Sequence, residues 1–216
     1  MNWSAVLFDF DYTLGDATEA IVTGFQYAFG QMGRPIPERE AVRLTVGHRL
    51  EDSYTLLTGD GDPARQAEFR RLYKQKADPL QIPATRLLPG ALELLEALNA
   101  QGIPAGVVST KGSAVLRAVL TAQGADHLVA SITGGDQVKA PKPDPEGLLG
   151  TIQALGLTPE QVLFCGDTVI DAETAQRAGT AFCAVLNGTT GAAAFDPFPH
   201  AHIAPDLWDL KVWLGL

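Results

Sequence analysis

An apolar run, Val6, Leu7 and Phe8, ends on two aspartates one residue apart, Asp9 and Asp11. Side chains alternate along a strand, so these carboxylates converge only where the chain leaves the strand and turns. Like charges that close repel unless a cation joins them. A hard divalent ion, Mg2+ by preference, takes oxygen from one or two carboxylates plus phosphate and water. The doublet therefore points to a metal site for a phosphorylated substrate, although such a pair standing alone is better read as a polar strand end opening a turn.

The elements that must position this pair are legible as an alternating pattern. Helical spacing runs through Ile21, Phe25, Ala28, Phe29 and Met32, preceded by Asp16 three residues before Glu19 as a capping box and closed by Gly33 and Pro35. Two further helices follow, one through Leu50, Tyr54 and Leu57, another opened by Asp62 and Pro63 and running through Phe69, Leu72 and Tyr73. From residue 84 onward the chain alternates. Helices at 90–99, 113–123, around 148–155 and at 172–178 separate apolar strands at 103–109, 129–132, 162–165 and 181–186. Residues 188–200 read as loop, and 203–214 as a last short strand and helix. Continuous apolar strands between amphipathic helices imply a parallel sheet covered on both faces. The predicted fold class is thus α/β, a doubly wound parallel sheet formed by residues 1–15 and 84–216 and interrupted by an all-helical insertion at 16–83.

In such a sheet ligands bind beyond the carboxyl ends of the strands, and those ends are polar here. The first carries Asp9 and Asp11, the second Ser109, Thr110 and Lys111, and the fourth Gly166 and Asp167 with Asp171 four residues on. Before the fourth strand, Pro141, Pro143 and Pro145 stiffen the segment holding Lys142 and could aim its ammonium at one place. Each residue alone has an ordinary structural explanation: Ser109 as a turn former, Asp171 as a helix N-terminal acid, Lys142 as a solvated charge. Jointly, in one order on successive strand ends, those explanations become improbable.

The segments DFDYTL at 9–14, VVSTK at 107–111, APKPDP at 140–145 and GDTVIDAETAQRAG at 166–179 resemble the four signature motifs of the haloacid dehalogenase superfamily. The insertion resembles that superfamily's C1 cap, as in phosphoglycolate phosphatase-like and beta-phosphoglucomutase-like members. The resemblance implies that Asp9 attacks phosphorus to form an aspartyl phosphate, and that Asp11 protonates the leaving oxygen and later activates water. It implies that Ser109 and Lys142 bind the phosphoryl group. It also implies Mg2+ held by the Asp9 side chain, the Asp11 backbone carbonyl and Asp167, with Asp171 and Thr13 in supporting positions and Thr110 near substrate. Asp11 favours phosphoryl transfer over carbon–halogen cleavage, because haloalkanoate dehalogenases generally lack a second carboxylate there. Tyr12 departs from the pattern, standing where the family most often has glycine, and bears on substrate size and on Asp11. In the insertion, Arg49 could bind a substrate carboxylate bidentately or pair with Glu51 or Asp52. His48 leaves the same two readings open, and Lys74 and Lys76 read as part of a solvated helix face rather than as Schiff-base lysines.

Composition narrows the classes. The chain has 216 residues, 46% of them apolar, enough for a full core. Its formal net charge of -9 and lack of a dense basic run argue against nucleic acid or anionic membrane as partner. Cys165 and Cys183 lie in apolar segments and read as small buried hydrophobes of a reducing compartment, not a bridge. With no signal-like or membrane-length apolar run, a cytoplasmic, soluble protein acting on a small phosphorylated metabolite is expected, monomer and homodimer both open. The rivals are a sugar phosphomutase, a signalling receiver module, which has no place for the 16–83 insertion, and an inactive phosphate-binding module.

Overall fold

The computed structural model describes residues 3–216 and forms two compact units, one comprising the chain up to Asp16 with Leu87–Leu216, the other Ala17–Arg86. In chain order the strands are β1 (Ala5–Phe8), β2 (Gly15–Asp16), β3 (Arg86–Leu87), β4 (Ala105–Val108), β5 (Ser131–Thr133), β6 (Val162–Gly166), β7 (Ala181–Val185) and β8 (His202–Ala204). The helices are α1 (Thr18–Gln31), α2 (Arg39–Arg43), α3 (Leu50–Thr58), α4 (Pro63–Ala84), α5 (Ala91–Ala100), α6 (Ser113–Ala122), α7 (Glu146–Ala154), α8 (Val169–Ala178) and α9 (Leu207–Leu214).

Six strands form one sheet in the order β5-β4-β1-β6-β7-β8, every pairing parallel. β1 lies inside the sheet and is buried throughout. Its alternation divides it between two cores: Val6 and Phe8 join Leu94, Leu98, Leu116 and Leu163 on one face, while Ala5 and Leu7 join Leu148, Ile152 and Phe164 on the other. This is why the strand reads as an uninterrupted apolar run. The register sets Phe8 opposite both Val107 and Cys165, so Asp9, Ser109 and Asp167 leave the sheet at neighbouring points. The chain order reverses direction about β1, which makes its carboxyl end the switch point of the doubly wound sheet.

The second unit is helical and has its own aromatic core. Phe25 and Phe29 of α1 meet Phe69 of α4 with ring centroids 5.0 and 5.5 Å apart, and Tyr54 of α3 closes on Phe69 at 5.3 Å. Gly24 lets α1 and α4 approach, since a Cβ there would lie 2.8 Å from the Tyr73 ring and from Ala77. Asp62 caps α4 by accepting from the Ala64 amide, with Pro63 in the first turn, as the dipeptide predicts.

Several local expectations shift. Asp16 is not the N-cap residue expected for α1: it belongs to β2, which pairs with β3, and the helix begins at Thr18 with Ala17 in the N-cap position. α2 is an additional short helix, and the strand expected at 103–109 shortens to Ala105–Val108. α8 starts at Val169, earlier than residue 172, because Thr168 and Asp171 form its capping box. Cys165 and Cys183 are free and buried, directly opposite each other on β6 and β7. No helix among the described residues is long and apolar enough to cross a membrane.

Candidate active site

The site assembles at the carboxyl end of the sheet, within the α/β unit. After β1 the chain turns tightly around one acceptor: the Phe10 carbonyl receives the amides of Thr13, Leu14 and Gly15 at 3.2, 2.9 and 2.9 Å. The turn requires Tyr12 at φ 60°, a left-handed conformation that is a genuine outlier for an aromatic residue. The Tyr12 amide donates to the Gly15 carbonyl at 2.7 Å and fixes it there. Asp9 and Asp11 are thereby turned off the strand, as the sequence requires.

Lys142 is the hub. Its Nζ lies 2.9 Å from Asp9 Oδ1 and 2.6 Å from Asp171 Oδ1, with the Phe164 ring centroid 5.7 Å away. Burial disfavours its charge, but Asp171 and Asp9 outweigh that and hold the ammonium above its ordinary pKa. The other Asp171 oxygen accepts from the Thr168 amide at 3.1 Å and its hydroxyl at 2.6 Å. Asp171 therefore both caps α8 and clamps Lys142, with each of its oxygens engaged. Gly166 makes room for it, since a Cβ there would overlap the Asp171 side chain.

Asp167 stands apart from this clamp. Its Oδ1 accepts from the Thr13 hydroxyl at 3.2 Å, whereas the buried Oδ2 has no hydrogen-bond donor among the described residues. Burial first, then the Asp171 and Asp9 charges, push its carboxyl well above the usual range. Asp11 is also raised, by burial before all else, with Asp9 adding and Lys111 opposing. Lys111, from the loop after β4, places Nζ 3.2 Å from Asp11 Oδ2, and Asp11 Oδ1 is buried without a hydrogen-bond donor among the described residues. Burial is thus a larger cause than the neighbouring carboxylates that the sequence brings to mind.

Carboxylate oxygens of Asp9, Asp167 and Asp171 lie within 4.8 Å of one another. With Asp11 included, four carboxylates face the two ammonium groups of Lys111 and Lys142, leaving two negative charges in surplus if all are ionised. An all-oxygen donor set with an orphaned, buried carboxylate oxygen fits a hard dication. Because Asp171 is occupied by Lys142 and Thr168, Asp9 and Asp167 are the side chains left to hold one.

Ser109 is buried at the tip of β4, its Oγ accepting from the Lys111 amide at 3.4 Å. Ser109, Thr110 and Lys142 line a pocket with Gly134, Gly135 and Pro141, of about 250 Å³ including space open to solvent. A Cβ at either Gly134 or Gly135 would press on the backbone at Lys111 or Thr110, so these glycines seat the loop that carries Lys111. Asn187, on the loop after β7, has a buried Nδ2 with no acceptor among the described residues.

Asp9, Asp11, Thr13, Ser109, Lys142, Asp167 and Asp171 therefore belong to one constellation, with Tyr12 and Thr110 beside it. Arg49 belongs to the helical unit, where Nη2 pairs with Glu51 at 3.8 Å. His48 is exposed there, and its pKa is lowered, chiefly by the partial desolvation of its ring. Lys74 and Lys76 are exposed. The residue whose role sequence reasoning missed is Lys111: it was visible at a strand tip, but only the β1–β4 register brings it to Asp11.

A family model of haloacid dehalogenase-like hydrolases matches residues 6–185, and the chain belongs to that family. It is 32% identical over 184 residues to phosphoglycolate phosphatase of Rhodospirillum rubrum, covering 81% of this chain and 76% of that protein. It is 26% identical over 232 residues to phosphoglycolate phosphatase of Escherichia coli O157:H7, covering 98% and 92%. A crystal structure of a Bacteroides fragilis protein assigned to the haloacid dehalogenase-like hydrolases superimposes with a TM-score of 0.94 at 38% identity, covering 97% of this chain and all of that one.

Proposed function

We propose that this protein is a Mg2+-dependent phosphatase of a small phosphorylated metabolite, a phosphoglycolate-like or sugar phosphate monoester, working through an aspartyl phosphate on Asp9. The observation that carries the reading is the Lys142 ammonium clamped between Asp9 and Asp171, 2.9 and 2.6 Å from each, beside an Asp167 oxygen that lacks a donor. The names of the relatives support the same chemistry.

A carboxylate nucleophile approaching a phosphate dianion meets repulsion, so positioning and positive charge must supply most of the rate enhancement. A Mg2+ held by Asp9, Asp167 and the Asp11 backbone carbonyl would neutralise charge on the phosphoryl oxygens. Lys142 adds a fixed positive charge that Asp171 keeps aimed at Asp9, and the Ser109 hydroxyl donates to a phosphoryl oxygen. Asp9 forms the new bond to phosphorus as the ester oxygen leaves with a proton from Asp11. Asp11 then removes a proton from water, which attacks phosphorus, releases inorganic phosphate and restores the Asp9 carboxylate. Burial of Asp11 raises its carboxyl and so favours the protonated form that donates to the leaving oxygen, while Lys111 positions it. Tyr12, Thr110 and Arg49 are the proposed contributors to substrate choice, the helical unit is the proposed cap, and the cytoplasm is the proposed location.

Phosphate release from a panel of phosphorylated metabolites, with Mg2+ and with chelator, tests this reading. Hydrolysis confined to Mg2+ and abolished in Asp9→Asn is expected; isomerisation of a sugar 1-phosphate without phosphate release would assign a mutase instead.

A further inference from the structure

Gly188 lies outside all four motifs, in the loop that follows β7. A Cβ built there would overlap Asp167 Oδ2, lie 3.0 Å from the Asp167 carboxyl carbon and 3.2 Å from Tyr12 Cβ. The backbone does not itself demand glycine, because Gly188 is absent from the residues of positive φ. Space alone excludes a side chain, and the atom that needs the space is the one buried carboxylate oxygen of Asp167 that has no donor.

We propose that Gly188 is a positioning residue for the cation site: its bare α-carbon lets the Asp167 carboxylate keep the orientation in which Oδ2 stays available to a divalent ion. Any side chain at 188 turns that carboxylate away or pushes the loop off it. The proposal rests on the cation reading above and adds to it a determinant following β7, a strand to which the motifs assign nothing. Thr13 holds Oδ1 from one side at 3.2 Å, and Gly188 borders Oδ2 on the other. The two together fix the plane of the carboxylate, as neighbours of metal ligands commonly do.

The test uses Mn2+ alone as the probe. Binding to metal-free full-length protein is followed by electron paramagnetic resonance in the wild type, Gly188→Ala, Gly191→Ala and Asp167→Ala. Gly191 lies in the same loop with nothing within 4 Å of a built Cβ, so its variant should bind as the wild type does. Gly188→Ala should weaken Mn2+ binding by about 10–100-fold, the effect typical of residues that orient metal ligands. Wild-type affinity in Gly188→Ala, with Asp167→Ala weakened, would overturn the role of Gly188 and leave the cation site standing. Unchanged affinity in Asp167→Ala would overturn the cation reading itself. Thermal melts in chelator, which need no metal, supply the second measurement. If the collision is with the carboxylate, the loss of Tm caused by Gly188→Ala should shrink by more than half in an Asp167→Ala background. An equal loss in both backgrounds would assign Gly188 to packing against Tyr12 and overturn the proposal. A single variant that fails to fold does not defeat this measurement: recovery of folding in the double variant supports the proposal, and failure of both overturns it.

Discussion

Asp60 and Asp167 are the same side chain in opposite circumstances. Asp60, in the helical unit, receives Arg34 at 2.5 Å, Arg65 at 2.8 Å, the Tyr54 hydroxyl at 3.3 Å and the Asp62 amide at 3.1 Å. That amide first, then the two guanidinium groups, hold its carboxyl below the usual range. Asp167, in the α/β unit, is buried among carboxylates, has a single hydroxyl donor, and is pushed well above that range. The contrast extends to the units: among the described residues, helical-unit acids such as Glu19, Glu40 and Glu51 meet exposed or half-exposed arginines, while the site gathers four carboxylates with two lysines. Charges that serve architecture are satisfied within the chain; those gathered at the strand tips await something from outside it.

If that distinction holds, the largest effects belong to the strand tips. Asp9→Asn should lower turnover by at least about 10³-fold, since on the proposed mechanism it removes the covalent nucleophile and with it the reaction path, and circular dichroism should show the fold retained. Lys142→Met should destabilise by about 3–5 kcal/mol, because it leaves Asp9 and Asp171 buried without their counter-charge. Arg65→Met, which removes an exposed partner of Asp60, should cost about 0–1 kcal/mol. Denaturant titration of both variants measures the difference. Equal losses would dissolve the comparison.

A pH series sharpens it. For Asp167 the folded value exceeds the unfolded one, so the folded state keeps a proton that the unfolded chain releases. Its contribution to stability is full below the unfolded carboxylate value and is lost as pH rises through the folded one. Asp60 runs the other way: its lowered value contributes stability above the unfolded value and loses it only as pH falls through the folded one. In chelator at pH 7, Asp167→Asn should therefore raise Tm by a few degrees and Asp60→Asn should lower it. Added Mg2+ should raise the wild-type Tm by mass action and leave Asp167→Asn almost unmoved. A wild-type protein as indifferent to Mg2+ as that variant would remove the dication from the site.

The sequence revealed what rests on local pattern. Carboxylates at the ends of apolar runs marked the strand tips, prolines marked Lys142, and Asp62 with Pro63 marked the start of α4. What stayed hidden depends on partners distant in the chain. The Lys111–Asp11 pair follows from the register of β1 against β4, and Gly188 matters only because β7 brings it beside Asp167. Asp16 reads as the N-cap of the first helix, whereas it lies in β2 and Ala17 takes that position. Tyr12 was noticeable as a ring in a glycine's place, but its left-handed backbone follows from the Phe10 carbonyl collecting three amides.

Tyr12 offers the smallest and most finely divided effect. A left-handed conformation costs a residue with a Cβ roughly 1–2 kcal/mol, which a glycine at this position would avoid. Against this, Tyr12 is only 4% exposed, and burying a ring of that size contributes about 1.5–3 kcal/mol; glycine also enlarges the entropy of the unfolded chain. The strain term opposes the other two and offsets only part of them, so Tyr12→Gly should lose no more than about 3 kcal/mol. Its clearer signature is selectivity. With the ring removed beside Asp11, relative rates across the phosphate-ester panel should shift toward bulkier substrates, without the collapse of turnover caused by Asp9→Asn. Unchanged relative rates would make the strained tyrosine a feature of the turn alone.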